Sequence, residues 1–382
     1  MRTSTYLPLA IALLMFPQLA QTLYSPALAD FATMFSVPPE AASQALTVYF
    51  LAFAFGVVGW GLLCDRVGRR PAMLYGLALF TTASVTALSV ETFEALLATQ
   101  ALAALGAAAG SVVTQTVLRD QFSGPALART FSLVGMALAI SPAIGLAVGM
   151  GLVQGFGYRG TMLGLAGLAA VLWAWTAAAL PETRPAVRAR NALAQTGRTM
   201  LADPFIWRSA LLVAAFNIAL FSYYSLGPFI FQRLHTALEW YGYSGVMLAA
   251  GASSGSWLNK RLLDTGHAPA TLETLAAALL LGGGIAVHAM RDSVWFLAPM
   301  LAVVMAFGIA IPNVLGQALR AYGDRIGTAG AVFGLMYYLL IGAGMLLVGW
   351  TQALGGTLIV CGCTAIGLCG PRPRSLRTQP LQ

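Results

Sequence analysis

The sequence predicts an all-α integral membrane protein of twelve transmembrane helices arranged as two halves of six. Three observations predict it: an apolar composition, a succession of apolar runs long enough to cross a bilayer, and arginines confined to alternate connections. Hydrophobic residues make up 58% of the 382 positions and charged residues only 9%, with a mean hydropathy of +0.77. Soluble domains carry roughly 25% charged residues, so lipid is the solvent for most of this chain. The net charge of +8 is spread through short segments between apolar runs and does not cluster with aromatics, which argues against nucleic acid as a partner.

A helix needs about 20 apolar residues to cross about 30 Å of hydrocarbon. Runs of that kind lie near Tyr6 to Leu23, Leu46 to Leu63, Ala72 to Val90, Ala95 to Leu118, Thr130 to Val153 and Thr161 to Leu180. A second set lies near Ser209 to Phe231, Tyr241 to Leu258, Thr271 to Met290, Trp295 to Leu319, Thr328 to Thr351 and Ala353 to Cys369. The eighth and twelfth are the weakest; the eighth is rich in Gly, Ala and Ser, which suits close helix packing. Residues 1–181 and 209–370 are thus expected to form two six-helix bundles, joined by a basic linker at 182–208 and followed by a polar tail at 371–382. Arg2, the run from Leu7 to Leu19 and Ala27-Leu28-Ala29 imitate a cleavable signal, but the run is long enough to span and an uncleaved first helix is expected.

With twelve spans, Arg2, Arg66, Arg69, Arg70, Arg119, Arg129, Arg184, Arg188, Arg190, Arg198, Arg208, Lys260, Arg261, Arg320, Arg325, Arg372, Arg374 and Arg377 fall on the linker's side. Only Arg159, Arg233 and Arg291 fall on the other. An error in the number of spans would scramble this alternation, so it supports the count and predicts both termini in the cytoplasm, in the cell inner membrane.

Between the second and third spans stands Gly61-Leu62-Leu63-Cys64-Asp65-Arg66-Val67-Gly68-Arg69-Arg70-Pro71. Gly61 is expected to let helices approach, Gly68 to allow a tight turn, and Pro71 to start the next helix. This pattern, G-x-x-x-D-R-x-G-R-R-P, resembles the signature loop of the major facilitator superfamily and implies its pseudo-symmetric 6+6 fold. The stretch from Gln18 to Asp30, Arg119-Asp120, Leu180-Pro181-Glu182-Thr183-Arg184 and Gly327-Thr328-Ala329-Gly330-Ala331 resemble the Bcr/CflA-type, EmrD-like drug exporters, over nearly the whole chain. The resemblance implies a secondary active transporter that expels small amphipathic compounds by alternating access, as a monomer. It also implies a cytoplasmic latch made by Asp65, Arg119 and the backbone near Gly330.

In the fifth span, Ser141-Pro142-Ala143-Ile144-Gly145 is similar to an antiporter motif, with Ala137 and Ser141 where glycines are expected; Pro142 should bend the helix. Many superfamily exporters carry an acid in the first helix and an arginine in the fourth, where Thr22 and Gln100 stand here. Proton coupling is therefore implied by resemblance alone, and would fall to Asp30, Asp65 or Asp120 at the membrane margins.

Polar and aromatic residues at mid-span are the candidates for a substrate pathway. They are Gln18, Gln21, Thr22 and Tyr24 in the first span, Gln115 in the fourth, Asn217, Tyr223 and Tyr224 in the seventh, Asn313 and Gln317 in the tenth, and Tyr337 and Tyr338 in the eleventh. Such a set suits amphipathic or weakly charged cargo held by stacking and apolar contact. A single-metabolite exporter, for instance of a siderophore, and a non-transporting receptor remain as alternatives. No P-loop, G-x-S-x-G, H-E-x-x-H or paired carboxylates occur, so no catalytic residues and no cofactor are expected. Cys64, Cys361, Cys363 and Cys369 lack neighbouring ligands and predict no metal site.

Overall fold

The computed structural model describes residues 7–122, 124–184 and 193–369. Outside them fall Arg2, Pro185, Arg188 and Arg190, the tail from 371 with its three arginines, and the side chain of Arg325. The described chain is helical with no strand: α1 (Leu7–Tyr24), α2 (Leu28–Met34), α3 (Pro39–Val67), α4 (Arg69–Thr86), α5 (Phe93–Gln121), α6 (Gly124–Ala179), α7 (Leu193–Leu201), α8 (Pro204–Arg233), α9 (Glu239–Asp264), α10 (Pro269–Ala289), α11 (Leu297–Ala318), α12 (Ile326–Thr351) and α13 (Leu354–Cys369).

Each expected span has its helix, and the departures have local causes. Helix α6 serves two spans: its apolar part, Arg129–Ala179, runs 51 residues, about 77 Å at 1.5 Å per residue. At Gly157 (φ 62°, ψ −163°) the helix breaks, and Leu152 then touches Gly164 twelve residues on, so the chain doubles back. That conformation is open to glycine and to few other residues. Helix α8 starts at Pro204, inside the stretch read as linker, because Pro occupies its first turn and Asp203 Oδ1 accepts a bond from the Phe205 N–H at 2.8 Å. The linker also holds the short helix α7, which packs against α12.

Helix contacts repeat six spans apart. In the first half α3 and α4 pack on α5, and α1 on α5 and α6; in the second, α9 and α10 pack on α11, and α8 on α11, α12 and α13. The halves meet where α3 packs on α12 and where α6 packs on α9. These are the second span against the eleventh and the fifth against the eighth, two contacts that a two-fold axis exchanges. Large apolar side chains such as Phe55, Phe156, Val171, Trp257 and Trp295 stand exposed around the bundle, the surface that lipid covers. Lipid tails are as apolar as leucine, so close packing and buried polar bonds must hold the helices together.

Candidate functional site: a charge clamp and an uncharged seam

The Gly61–Pro71 loop is drawn almost entirely into helices. Gly68 (φ 107°) ends α3 and starts α4, and a Cβ there would overlap the carboxylate of Glu182. That carboxylate caps α4: Oε1 accepts from the Arg69 N–H at 2.9 Å and Oε2 from the Arg70 N–H at 3.2 Å, where the helix presents its positive end. Burial pushes the Glu182 carboxyl up, but N–H donors from Arg69, Arg184, Arg70 and Thr183 outweigh it and hold the group below the usual carboxylate range.

Arg69 is only 6% exposed. Its Nε donates to Asp120 Oδ2 at 2.8 Å, and its Nη1 to Asp65 Oδ1 and the Cys64 carbonyl, both at 3.2 Å. The Thr183 hydroxyl donates to the same Asp120 oxygen at 2.9 Å, and Arg70 reaches the Ala177 carbonyl. The clamp thus binds α3, α4, α5 and the end of α6 to one another. Arg119, the arginine that resemblance assigned to the latch, makes no ion pair among the described residues. Its guanidinium lies 5.9 Å from the Phe131 ring centre, because the side chain one position before Asp120 points to a different face of α5. Arg66 is exposed and Gly330 packs near Leu319. The close approach expected at Gly61 occurs instead at Gly56, which lies against Ala108 and the Leu105 carbonyl; a Cβ on Gly61 would meet only Val112, at 3.8 Å.

Aromatic rings line the meeting of the halves. Phe50 of α3 lies 4.4 Å from Phe221 of α8, Phe53 lies 4.8 Å from Tyr338 of α12, and Tyr338 lies 4.5 Å from Tyr337. Tyr224 stands 6.0 Å from Phe221, and the Tyr49 hydroxyl of α3 donates to the Pro17 carbonyl of α1 at 3.2 Å. Buried polar atoms of Gln21, Thr47, Tyr224 and Ser225 have no partner in the protein. Each such atom costs about 1–3 kcal/mol, and these four lie on α1, α3 and α8, of which α3 and α8 carry rings of the seam.

Most other pathway candidates bond within or between helices. Thr22 donates to the Gln18 carbonyl at 2.9 Å and lies against Gly145 of α6, so Thr22 belongs to the α1–α6 contact; the Tyr24 ring packs 4.9 Å from Phe31 in the first half, and its buried hydroxyl has no partner among the described residues. Gln115 bonds Ser111 at 3.2 Å and Asn217 bonds the Val213 carbonyl at 2.7 Å, each within its own helix. Tyr223 bonds Ser244 of α9 at 2.5 Å and Asn313 bonds Asn259 of α9 at 2.6 Å. Gln317 bonds Glu273 of α10 at 2.9 Å. Gly145 and Pro142 form the small surface on which α1 and α9 close, since Gly245 of α9 would place a Cβ 3.0 Å from the Pro142 carbonyl.

The seam is sealed at the end opposite Gly68. Ser25 donates to the Tyr224 carbonyl and lies 2.5 Å from the Tyr241 hydroxyl, while Gln352 donates to Ser43 at 3.0 Å. These bonds join the two halves. Glycine-free signals in the sequence do not reveal Ser25, because a serine beside a proline reads as a turn.

Known proteins agree with this architecture. The fold is similar to that of the partially occluded, inward-open xylose transporter XylE of E. coli, with a TM-score of 0.76 at 13% identity over 96% of this chain and 95% of that one. An uncharacterized transporter of Rickettsia bellii is 27% identical over 356 residues, covering 86% of each chain. Multidrug resistance protein D of Escherichia coli K12 is 30% identical over 202 residues, 53% of this chain and 51% of that protein. The family model of the Major Facilitator Superfamily matches residues 10–370: the chain belongs to that superfamily and is a membrane transporter.

Proposed function

We propose that the chain exports small amphipathic organic compounds from the cytoplasm by alternating access, as a monomer in the inner membrane with both termini cytoplasmic. The observation that carries this reading is the seam itself: aromatic faces from both halves with unpartnered amide and hydroxyl groups and no formal charge among its described residues. Such a surface stacks on flat or cationic organic molecules without demanding one charge pattern. The multidrug resistance relative supports export of drugs, and the arginine asymmetry supports the orientation.

Purified protein in liposomes is expected to transport ethidium, acridine orange and a Hoechst dye. Gln21→Ala and Tyr224→Phe, which removes only the unpartnered hydroxyl, should change the rank order of their KM values. One saturable solute with no dye transport would oppose the reading.

With that orientation, the sealed end faces outward. Ser25→Ala removes a buried cross-half bond worth about 1 kcal/mol, which shifts a two-state balance roughly five-fold. Spin labels at Thr33→Cys and Ala237→Cys, on opposite halves at that end, should report a larger separated population in Ser25→Ala. An unchanged distance distribution would refute the gate.

A further inference from the structure

The geometry points to a site for the phosphate headgroup of an anionic phospholipid, in the second half at the sealed end of the bundle. A cavity of about 300 Å³ opens there between the end of α8, the end of α10 and the start of α13. Its floor is apolar: Ile230, Val287 and Phe296 line it and are buried. Its rim is basic. Of the three arginines that fall opposite the linker, two, Arg233 and Arg291, line this one cavity, and His288 joins them. Basic residues are scarce on that side of the chain, so scattered surface charge does not account for two of three meeting at one cavity.

The two guanidinium groups have donors to spare. Arg233 makes no ion pair among the described residues, and its Nη2 donates to the Arg291 carbonyl at 3.5 Å. Arg291 meets Asp292 at 3.5 Å, with the two side chains 62% and 84% exposed, a pair that solvent screens. Each guanidinium holds five N–H donors in a planar fork that matches two oxygens of a phosphate. Helix α13 adds to the positive potential. Its first residues, Leu354, Gly355 and Gly356, all line the cavity, and Ala353 before them has no side-chain oxygen to cap their N–H groups.

Depth in the membrane selects a lipid as the source of the phosphate. Trp295, next to Phe296, and Trp350, two residues before Gln352 in the cavity wall, stand exposed. Indole rings collect at the level of lipid headgroups, which places the cavity at that level. The apolar floor suits the glycerol and first acyl carbons behind a lipid phosphate, which inorganic phosphate lacks. Phosphatidylcholine carries the same phosphate, but its choline cation would meet the arginines. Gln352 also donates to Ser43 of the other half, so the headgroup lies against a bond that joins the halves.

Native mass spectrometry and thermal unfolding of the delipidated protein, titrated with phosphatidylglycerol or phosphatidylcholine, test the site. The wild type should retain more phosphatidylglycerol than phosphatidylcholine and melt at a higher temperature with it. Arg233→Gln combined with Arg291→Gln should lose both differences, and Arg159→Gln, at the third arginine of that side, should keep them. Gly356→Phe leaves every charge in place and fills the cavity, since a Cβ there meets only the Ala353 Cβ at 3.6 Å; it should lose them too. An undiminished preference in the double variant or in Gly356→Phe overturns the site, as does an equal loss in Arg159→Gln, the mark of unspecific attraction to basic side chains. Displacement of phosphatidylglycerol by an equal concentration of glycerol 3-phosphate would give the cavity to soluble phosphates and overturn the lipid assignment.

Discussion

Arg69→Ala is expected to bring transport to background and to lower stability by about 3–5 kcal/mol, the cost of breaking a buried pair by removing one partner. The Asp120 contact decides this. Asp120 has a side chain 16% exposed and bonds Arg69 at 2.8 Å, whereas Asp65 is 41% exposed and lies at 3.2 Å, so solvent screens it and its share is small. Losing the guanidinium also leaves the Cys64 carbonyl and Asp120 short of a donor. Arg69→Lys keeps the charge, but one ammonium replaces a planar fork that reaches three acceptors at once; its stability should fall between the two. Thermal unfolding in detergent and dye flux measure both effects. An alanine variant that melts and transports like the wild type removes the clamp from the mechanism.

Gly145→Val is expected to prevent folded protein from accumulating. Any Cβ at Gly145 would overlap the Thr22 hydroxyl, and the next turn is as tight, with a Cβ on Gly149 falling 2.5 Å from the Leu23 carbonyl. Thr22 cannot swing away cheaply, because it is bonded to its own helix. Nor can α6 retreat, since α9 closes on its other face at Pro142 and Leu146. Overpacking usually costs 1–3 kcal/mol, and here neither neighbour can relax, so the upper end or beyond is expected. Gly151→Val on the same helix, where a Cβ meets nothing within 4 Å, should fold normally. Fluorescence-detected gel filtration of the two variants separates these outcomes; equal monodisperse peaks would refute the packing account.

The span count was legible because hydrocarbon forces every span to be apolar and the arginines mark alternate connections. The doubling back at Gly157 was legible as a boundary but not as a single-residue break. Faces were not legible. Helices apolar all round carry no stripe to say which side meets a neighbour, so Gln21, which reaches the seam, and Thr22, which packs on Gly145, look alike in sequence. The same blindness hides that the amides of Gln317 and Asn313 bond Glu273 and Asn259. Arg119 was placed by resemblance, and neighbouring positions on a helix differ in direction by about 100°, enough to send it to Phe131. Glu182 sits 113 residues from its partner at Arg69, a distance no local pattern bridges.

An uncharged seam has an electrical consequence. A membrane voltage does about 2.3 kcal/mol of work per elementary charge per 100 mV, and Gln21, Thr47, Tyr224, Ser225 and their surrounding rings offer it nothing to pull on. Reorienting the empty seam is therefore indifferent to voltage, and whatever it holds supplies the sensitivity. A neutral molecule leaves the cell unaided and unopposed by the field, while a monovalent cation must climb it.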